Sequence, residues 1–240
     1  MLAIETKNLT KKYKEKTAVD GINLKINQGE LFSLLGTNGA GKTTTIKMLS
    51  TLILPTDGKI KIGGLELGKD KQKIKEILNV SPQETAIAPN LSVKENLEFM
   101  AGVYQISNKE EKINELIKIF KLDEVLNQKA KTLSGGWQRK VSIAISLINE
   151  PKILFLDEPT LGLDVIARKE LWSVIKNLKG KITIILTTHY MEEAESLSDR
   201  IGIMAKGKLI AVGTPDELVK QTDAKNFEDA FVKIATGGEL

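Results

Sequence analysis

Apolar and polar residues alternate over residues 2–8 and 22–26, and this pattern predicts two half-buried antiparallel strands. Residues 31–35 are mostly apolar and directly precede a glycine, which is typical of a buried strand. A helix is predicted over residues 43–52, ended by a turn at Asp57-Gly58. The first third of the chain is therefore expected to begin with antiparallel strands and to continue into a buried strand and a helix.

Helical spacing of apolar residues follows over residues 92–126, where Ser92 and Glu95 have the spacing of a capping box. The rest of the chain alternates between short apolar strands and helices. Strands are predicted at 153–156 and 182–186, helices at 135–149, 165–178 and 226–234, and a hairpin over 200–212. Buried strands that alternate with helices imply an α/β fold, with a mostly parallel sheet and helices on both faces. The N-terminal part is expected to be antiparallel, and the helical part is expected to be an insertion.

The composition is that of a globular protein, with 240 residues, 41% hydrophobic and 28% charged. The absence of cysteine excludes disulfides, cysteine metal sites and thiol nucleophiles. No apolar run approaches the roughly 20 residues that span a bilayer, and residues 1–5 lack a signal-peptide pattern. We therefore expect the chain to stay in the cytosol.

The net charge is +4 and the sequence pI is about 9.0, which could indicate binding to nucleic acid or to an anionic membrane. The lysines, however, are scattered among acidic residues, and the chain has only three arginines. Arginine dominates specific base recognition. A solvated lysine-rich surface is the favoured interpretation, and no nucleic-acid partner is expected.

Residues 36–43 fit the phosphate-binding pattern G-x-x-x-x-G-K-[ST]. Glycines let the backbone N–H groups turn toward phosphate oxygens, and the N-terminus of the following helix adds positive potential. Lys42 is expected to reach the β- and γ-phosphates, and Thr43 to offer its hydroxyl to Mg²⁺. A chance match in a glycine-rich turn is the alternative, but the loop lies between a strand and a helix, as this function requires.

Asp157 and Glu158 follow the apolar strand 153–156, at the end where α/β sheets place ligands. In a phosphate-loop protein the first carboxylate holds Mg²⁺, and the second is free to polarise an attacking water as general base. An ordinary acidic turn after a core strand is the alternative.

Residues 133–138 read Leu-Ser-Gly-Gly-Trp-Gln. Ser134 is a good N-cap, and Gly135 and Gly136 expose backbone N–H groups at the head of a helix. This segment predicts a second anion-binding site, although a simple glycine turn before a helix would look similar.

These three motifs together resemble the nucleotide-binding subunit of an ABC transporter. Residues 36–44 resemble the Walker A loop, residues 133–138 the family signature, and residues 153–158 the Walker B strand. Gln83 resembles the Q-loop glutamine, and Asp164 the D-loop aspartate. Thr37, Thr43 and Trp137 stand where proline, serine and glutamine are more frequent in the family.

Two further residues have counterparts in the family. His189, the only histidine in the chain, resembles the switch histidine, although a lone histidine is more often structural. Tyr13 resembles the aromatic residue that stacks on adenine, although an ordinary tyrosine at a strand end remains the alternative.

The resemblance implies a P-loop NTPase fold and an ATPase that uses ATP and Mg²⁺. Glu158, His189 and Gln83 would be catalytic, and Thr43, Gln83 and Asp157 would hold the metal. The ATP-binding residues would be Tyr13, Gly36, Thr37, Asn38, Gly39, Ala40, Gly41, Lys42, Thr43, Thr44 and Asp164, with Ser134, Gly135 and Gly136 contributed by a second subunit.

The resemblance also implies one ATPase domain over residues 1–240. Its α/β core would comprise 1–86 and 150–220, its helical subdomain 87–149 and its C-terminal helix 221–240.

The partners implied are a second ATPase subunit, in a homodimer or heterodimer, and separate transmembrane permease subunits that dock near Gln83. The chain would then be peripheral, at the cytoplasmic face of the cell membrane. Residues 213–218 and 227–231 resemble the drug- and antibiotic-resistance exporters, which favours export over import. An ABC ATPase of DNA repair or translation, or a phosphate-loop kinase, is the rival. The sequence does not name the cargo.

Overall fold

The computed structural model describes residues 1–237, which form ten strands and nine α-helices. The strands are β1 (Leu2–Tyr13), β2 (Lys16–Asn27), β3 (Leu31–Leu35), β4 (Asp57–Ile62), β5 (Leu65–Glu66), β6 (Leu78–Ser81), β7 (Ile153–Asp157), β8 (Thr183–Thr188), β9 (Arg200–Ala205) and β10 (Lys208–Gly213). The helices are α1 (Lys42–Leu49), α2 (Lys71–Ile77), α3 (Val93–Val103), α4 (Lys109–Phe120), α5 (Gly135–Ser146), α6 (Val165–Leu178), α7 (Met191–Leu197), α8 (Pro215–Gln221) and α9 (Phe227–Thr236).

The strands form two sheets. The first is antiparallel, in the order β2-β1-β4-β5. The second has the order β10-β9-β3-β8-β7-β6 and is parallel from β9 to β6, with the antiparallel hairpin β9–β10 at one edge. The predicted fold class is therefore confirmed.

Strand β7, next to the edge strand β6, is buried along its whole length. Leu154 and Leu156 join one apolar cluster, whereas Ile153 and Phe155 join another. Successive side chains of a strand point to opposite faces, so both faces of the sheet are covered. This explains why the strand is a continuous apolar run in the sequence.

Helices α3, α4 and α5 share an apolar cluster with one face of the parallel sheet. The predicted capping box at the start of α3 is confirmed: the Glu95 N–H donates to Ser92 Oγ at 3.2 Å, and the Ser92 N–H donates to Glu95 Oε2 at 2.6 Å. This cap begins the helical part of the chain directly after the loop that carries Gln83.

Four adjacent parallel strands, β3, β8, β7 and β6, direct their carboxyl ends to one edge of the sheet. The glycine-rich loop follows β3, His189 follows β8, Asp157 ends β7, and Gln83 lies just after β6. Segments that are far apart in the chain therefore meet at this edge, where α/β folds bind their ligands.

The structure corrects the prediction for the segment after the first helix. Helix α1 ends at Leu49 rather than at residue 52, because Thr51 adopts a left-handed backbone with φ of 65°. Asp57-Gly58 is not a free turn but the start of β4, which pairs with β1. A Cβ on Gly58 would lie 2.4 Å from the Asn8 carbonyl oxygen, so glycine allows this close pairing.

Other boundaries differ by a few residues from the predicted ones. Helix α5 ends at Ser146, strand β8 is shifted to Thr183–Thr188, and α9 runs to Thr236. The elements β5, β6, α2, α7 and α8 were not predicted. The proposed division of the chain into a core and a helical subdomain stays a prediction, and residues 238–240 of its C-terminal segment lie outside the described residues. Within the described residues, no helix is both long and apolar enough to cross a membrane.

Candidate nucleotide site

The phosphate loop, residues 36–43, has a backbone that requires its glycines. Gly39 and Gly41 have φ of 82° and 103°, values that residues with a Cβ rarely adopt. A Cβ on Gly36 would lie 2.4 Å from the Met204 carbonyl oxygen, and one on Gly41 would lie 2.6 Å from that of Ala18. The loop is therefore held tightly between β2 and β9.

Helix α1 begins at Lys42, and within the described part of the chain no side chain caps its N-terminus. The first N–H groups of a helix have no partner inside the helix, and they carry the positive end of its dipole. Without a side-chain cap, these groups remain available to an anion such as phosphate.

Lys42 is buried, and its ammonium group points back over the loop. Nζ donates to the carbonyl oxygens of Gly36 at 2.8 Å and Thr37 at 3.3 Å, and it lies 3.4 Å from Glu158 Oε1. The cation is thus fixed by the backbone, with one carboxylate oxygen at the position where a phosphate oxygen could pair with it.

Thr43 and Asp157 lie together at the carboxyl end of β7. Thr43 Oγ1 donates to Asp157 Oδ1 at 3.2 Å, and Thr187 Oγ1 donates to the same oxygen at 2.6 Å. A hydroxyl and a carboxylate are the oxygen ligands that Mg²⁺ prefers, usually completed by phosphates and waters. These side chains therefore fit a magnesium ion held partly by a nucleotide.

Glu158 is held from both ends. Its N–H donates to the carbonyl oxygen and the hydroxyl of Thr187, and its Oε2 lies 2.7 Å from Nδ1 of His189. Its φ of 48° is in the left-handed region, which is uncommon for a side chain of this size. The backbone bonds hold this conformation, which turns the carboxylate toward Lys42 and His189.

One cavity of about 450 Å³ connects the phosphate loop with Glu158 and His189. Most of the predicted residues line it, namely Asn38, Gly39, Ala40, Gly41, Lys42, Thr43, Thr44, Gln83, Glu158 and His189. Lys16, Ala18 and Leu161 line it too and were missed. Leu161 follows Glu158 closely and could have been suspected, whereas Lys16 and Ala18 reach the cavity only because β2 packs beside the loop.

A scan against family models matches residues 19–161, more than half of the chain, to the ABC transporter family. The chain belongs to the ABC transporter family. It carries the ATP-binding domain of that family, and the resemblance stated from its motifs is confirmed.

Named relatives support the same branch of the family. The chain is 40% identical to the probable multidrug ABC transporter ATP-binding protein YbhF of Escherichia coli, over 96% of this chain and 41% of YbhF. It is 38% identical to the linearmycin resistance ATP-binding protein LnrL of Bacillus subtilis, over 98% of this chain and 75% of LnrL. It therefore spans about two fifths of the length of YbhF. The resemblance to the drug- and antibiotic-resistance branch is confirmed.

A solved structure of similar fold is an ATP-binding cassette dimer in a post-hydrolysis state, bound to ADP and Pi. It is 28% identical, with a TM-score of 0.79 over 88% of this chain and 98% of that one.

Five predicted residues are not among the described residues that line the cavity. Three of them directly contact lining residues: Gly36 and Thr37 accept from Lys42, and Asp157 accepts from Thr43.

The other two are Tyr13 and Asp164. Tyr13 is 46% exposed at the end of β1, with Lys11 Nζ 5.2 Å from its ring centre, and its backbone pairs with Lys16. Asp164 is the N-cap of α6 and accepts from the N–H groups of Ile166 and Ala167, each at 2.9 Å. The nucleotide contacts expected of both residues stay predictions.

The signature segment also lies outside the cavity. Ser134 is the N-cap of α5, and a Cβ on Gly136 would be 3.1 Å from the Cβ of Ala167 on α6. Trp137, the departure from the family pattern, packs over Lys140, whose Nζ lies 4.4 Å from the ring centre. The tryptophan therefore packs against its own helix, and Ser134 and Gly135 at the head of α5 stay exposed.

Glu193 on α7 is a fully buried acid close to this site. Oε1 accepts from Thr160 Oγ1 at 2.8 Å and from Trp172 Nε1 at 2.9 Å, whereas Oε2 has no hydrogen-bond partner among the described residues. Burial raises the pKa of Glu193 above its usual value, and the hydrogen bonds oppose this effect only in part.

We expect the free energy of unfolding of Glu193→Gln, relative to that of the parent protein, to increase as the pH rises. Because the folded pKa of Glu193 is raised, the stability that its protonated form contributes is fully present below the unfolded pKa, about 4.3. That contribution is lost as the pH rises through the folded pKa, whereas glutamine does not titrate. Thermal unfolding of both proteins between pH 4.5 and 8 measures the difference. The control is Glu195→Gln, an exposed site on the same helix. Parallel curves for the parent and Glu193→Gln would contradict the prediction.

Proposed function

We propose that this chain binds ATP with Mg²⁺ and hydrolyses it as one subunit of an ABC exporter, whose substrate passes through separate membrane subunits. The observation that carries the proposal is the single cavity in which the phosphate loop, Thr43 and the Glu158–His189 pair meet, with Asp157 bound directly to Thr43. Each group has the chemistry that one part of ATP hydrolysis requires.

ATP binding rests on the loop and Lys42. The free N–H groups at the start of α1 would surround the phosphates, and Lys42 would exchange its contact with Glu158 for phosphate oxygens. Lys16 lines the same cavity and would add positive charge near the nucleotide. Tyr13, next to Lys16, would stack on the adenine.

Metal binding rests on Thr43, Asp157 and Gln83. The first two are in contact, and Gln83 lines the same cavity as Thr43. When bound, Mg²⁺ would neutralise developing charge on the phosphate oxygens. Thr187 would hold Asp157 in place through its short hydrogen bond to Oδ1.

Water activation rests on Glu158. Its carboxylate is buried, and Oε2 lies 2.7 Å from Nδ1 of His189. Glu158 would accept a proton from the attacking water, a contribution typically worth about 10²–10⁴ in rate. His189 would keep the carboxylate oriented and would contact the γ-phosphate.

Dimerisation would complete each site with Ser134, Gly135 and Gly136 of a second subunit. At the head of α5, Ser134 and Gly135 are exposed, whereas Gly136 packs against the first turn of α6. Val165 and Ile166 in that turn are 62% and 73% exposed. An anion-binding helix start beside exposed apolar residues is suited to a protein interface. The ADP-bound dimer of similar fold supports a dimeric arrangement.

We expect Ser134→Arg to abolish ATP hydrolysis while the isolated subunit still binds ATP. The arginine would occupy the place where the partner's phosphates meet the head of α5, at some distance from the chain's own cavity. Calorimetry with ATP and a phosphate-release assay measure the two properties. Ser92→Arg, which alters an N-cap serine on α3, is the matched control. Loss of ATP binding in the Ser134→Arg monomer would place Ser134 in its own chain's site instead.

Export, rather than import, is favoured by the relatives, which are described as multidrug and linearmycin resistance proteins. The resistance-type tail over residues 213–218 and 227–231 agrees with this direction.

The membrane subunits would dock on α3. Phe99 and Val103, spaced four residues apart, are 58% and 56% exposed on this helix. Tyr104, directly after α3, accepts a hydrogen bond from Asn79 of β6, the edge strand that leads to Gln83. The exposed apolar face therefore lies beside the loop that carries Gln83, and its occupant would hold the chain at the cytoplasmic face of the membrane.

We expect Phe99→Asp to release the chain from native membranes without changing ATP hydrolysis by the isolated subunit. Charge placed on an apolar docking face leaves a desolvated carboxylate in the interface. The fraction retained on washed membranes of the expressing cells measures docking, and vesicles of lipid alone should retain neither protein. Ile210→Asp, an exposed apolar site on β10 at the opposite edge of the sheet, is the control. Equal retention of both variants would contradict docking at α3.

A further inference from the structure

Arg139 on α5 grips the backbone of the loop that carries Gln83. Its Nη1 donates to the Pro82 carbonyl oxygen at 2.6 Å, and its Nη2 donates to the Gln83 carbonyl oxygen. One planar guanidinium thus holds two consecutive carbonyls, a geometry that lysine cannot reproduce with its single ammonium group.

The guanidinium is buried without a close acidic partner. It is 5% exposed, and none of the described carboxylates lies within ion-pair distance of it. Burial lowers the pKa of Arg139, which the more distant charges of Asp157 and Glu193 oppose. Burying a cation in this way costs stability, and the two carbonyl bonds are its compensation.

A second contact reinforces the link between α5 and the loop. Ser142, almost one turn after Arg139, lies with its Oγ 3.2 Å from the Oγ of Ser81, and both serines are buried. The three consecutive residues 81–83 are therefore each bound to α5. Any shift of α5 relative to the parallel sheet must displace this segment or break these bonds.

The two ends of this linkage belong to different candidate ATP sites. Gln83 lines the chain's own cavity, whereas Ser134–Gly136 at the head of α5 would face the nucleotide of the second subunit. Arg139 lies between them, in the second turn of the helix.

We propose that Arg139 is a positioning residue that fixes Gln83 in the candidate site and transmits movement of α5 to it. This inference rests on the proposed function, in which Gln83 contributes to Mg²⁺ binding. Arg139 itself contacts neither nucleotide nor metal.

The first test compares Arg139→Lys with the parent protein. The lysine keeps the buried charge but cannot reproduce the paired hydrogen bonds to the Pro82 and Gln83 carbonyl oxygens. We expect the Mg²⁺ concentration for half-maximal hydrolysis to rise about 10-fold, as is usual when a residue that orients a metal ligand is lost. Affinity for ATP without Mg²⁺ should change less than about 2-fold, because the phosphate loop is untouched. Lys140→Met is the control, since Lys140 is equally buried on α5 but pairs with Glu170.

A second measurement does not depend on activity. In the nucleotide-free protein, hydrogen exchange of the peptide that begins at Gln83 should become faster in Arg139→Lys and not in Lys140→Met. Unchanged exchange would mean that the two hydrogen bonds of the Arg139 guanidinium do not hold this loop, which would overturn the inference.

A double-mutant cycle separates this inference from the proposed function. If Arg139 acts through Gln83, then Arg139→Lys should add less than about 2-fold to the effect of Gln83→Ala. Two results would overturn the role of Arg139. The first is a double variant whose defect is the product of the two single defects. The second is a parent-like Mg²⁺ dependence in Arg139→Lys while Gln83→Ala has an altered Mg²⁺ dependence. A parent-like Gln83→Ala would instead overturn the role proposed for Gln83. If Arg139→Lys does not fold, Arg139→Gln, which keeps an amide donor without the charge, is measured in the same cycle against the same criteria.

Discussion

Replacing Glu158 with glutamine is expected to lower the rate of ATP hydrolysis about 10²–10⁴-fold while ATP and Mg²⁺ still bind. Glutamine keeps the size of the side chain and a hydrogen bond to His189, but it cannot accept the proton of the attacking water. Lys42 and Asp157 remain in place, so the binding site survives. The amide also removes the negative charge 3.4 Å from Lys42, which should favour phosphate binding.

The same variant is expected to accumulate as an ATP-bound dimer, because hydrolysis would normally reopen it. Phosphate release and size-exclusion chromatography with ATP measure the two effects. Glu192→Gln is the matched control, since it removes an exposed carboxylate just after His189. Hydrolysis at the parent rate would show that Glu158 does not activate the attacking water. An inactive variant that stays monomeric at high concentration would count against the ATP-dependent dimer alone.

Replacing Lys42 with alanine is expected to weaken ATP binding by roughly 100-fold, equivalent to about 3 kcal/mol. The substitution removes the buried cation that faces the phosphates and leaves Glu158 without its charged partner in the cavity. The carboxylate would then repel the nucleotide, so both effects weaken binding.

Direct calorimetry with ATP tests the Lys42 prediction without depending on hydrolysis. Lys47→Ala is the control, because Lys47 is an exposed cation on the same helix α1. Unchanged affinity in Lys42→Ala would show that the phosphate loop has been assigned to the wrong ligand. Equal losses in both variants would point to net charge rather than to a specific contact.

The short motifs were predictable from sequence because each one depends on neighbouring residues. The phosphate loop needs glycines at fixed spacing before a helix, and Gly39 and Gly41 indeed adopt positive φ. The apolar run of β7 and the periodicity of α6 likewise reflect local rules, and the predicted bounds of α6 match the observed ones. The family could therefore be stated from sequence alone.

Strand β4 of the antiparallel sheet could not be predicted in this way. Asp57-Gly58 has the composition of a turn, yet it begins β4 because β1 lies close enough to pair with it. Whether a strand forms there depends on a partner more than 40 residues away, as the pairing of Thr10 with Asp57 shows. Short elements such as β6 carry too few residues for a periodic pattern.

The sequence by itself determined which residues could bind phosphate, hold a metal and activate water, because those abilities belong to residue types at short spacings. Only the tertiary structure decided which of them meet. It brought Glu158 within 2.7 Å of His189, placed Lys16 in the cavity, and left Tyr13 and Asp164 outside its lining. It also set the Arg139 fork onto a loop that lies 56 residues earlier in the chain. Such contacts depend on the order of the strands and the packing of helices on the sheet, which no local spacing specifies.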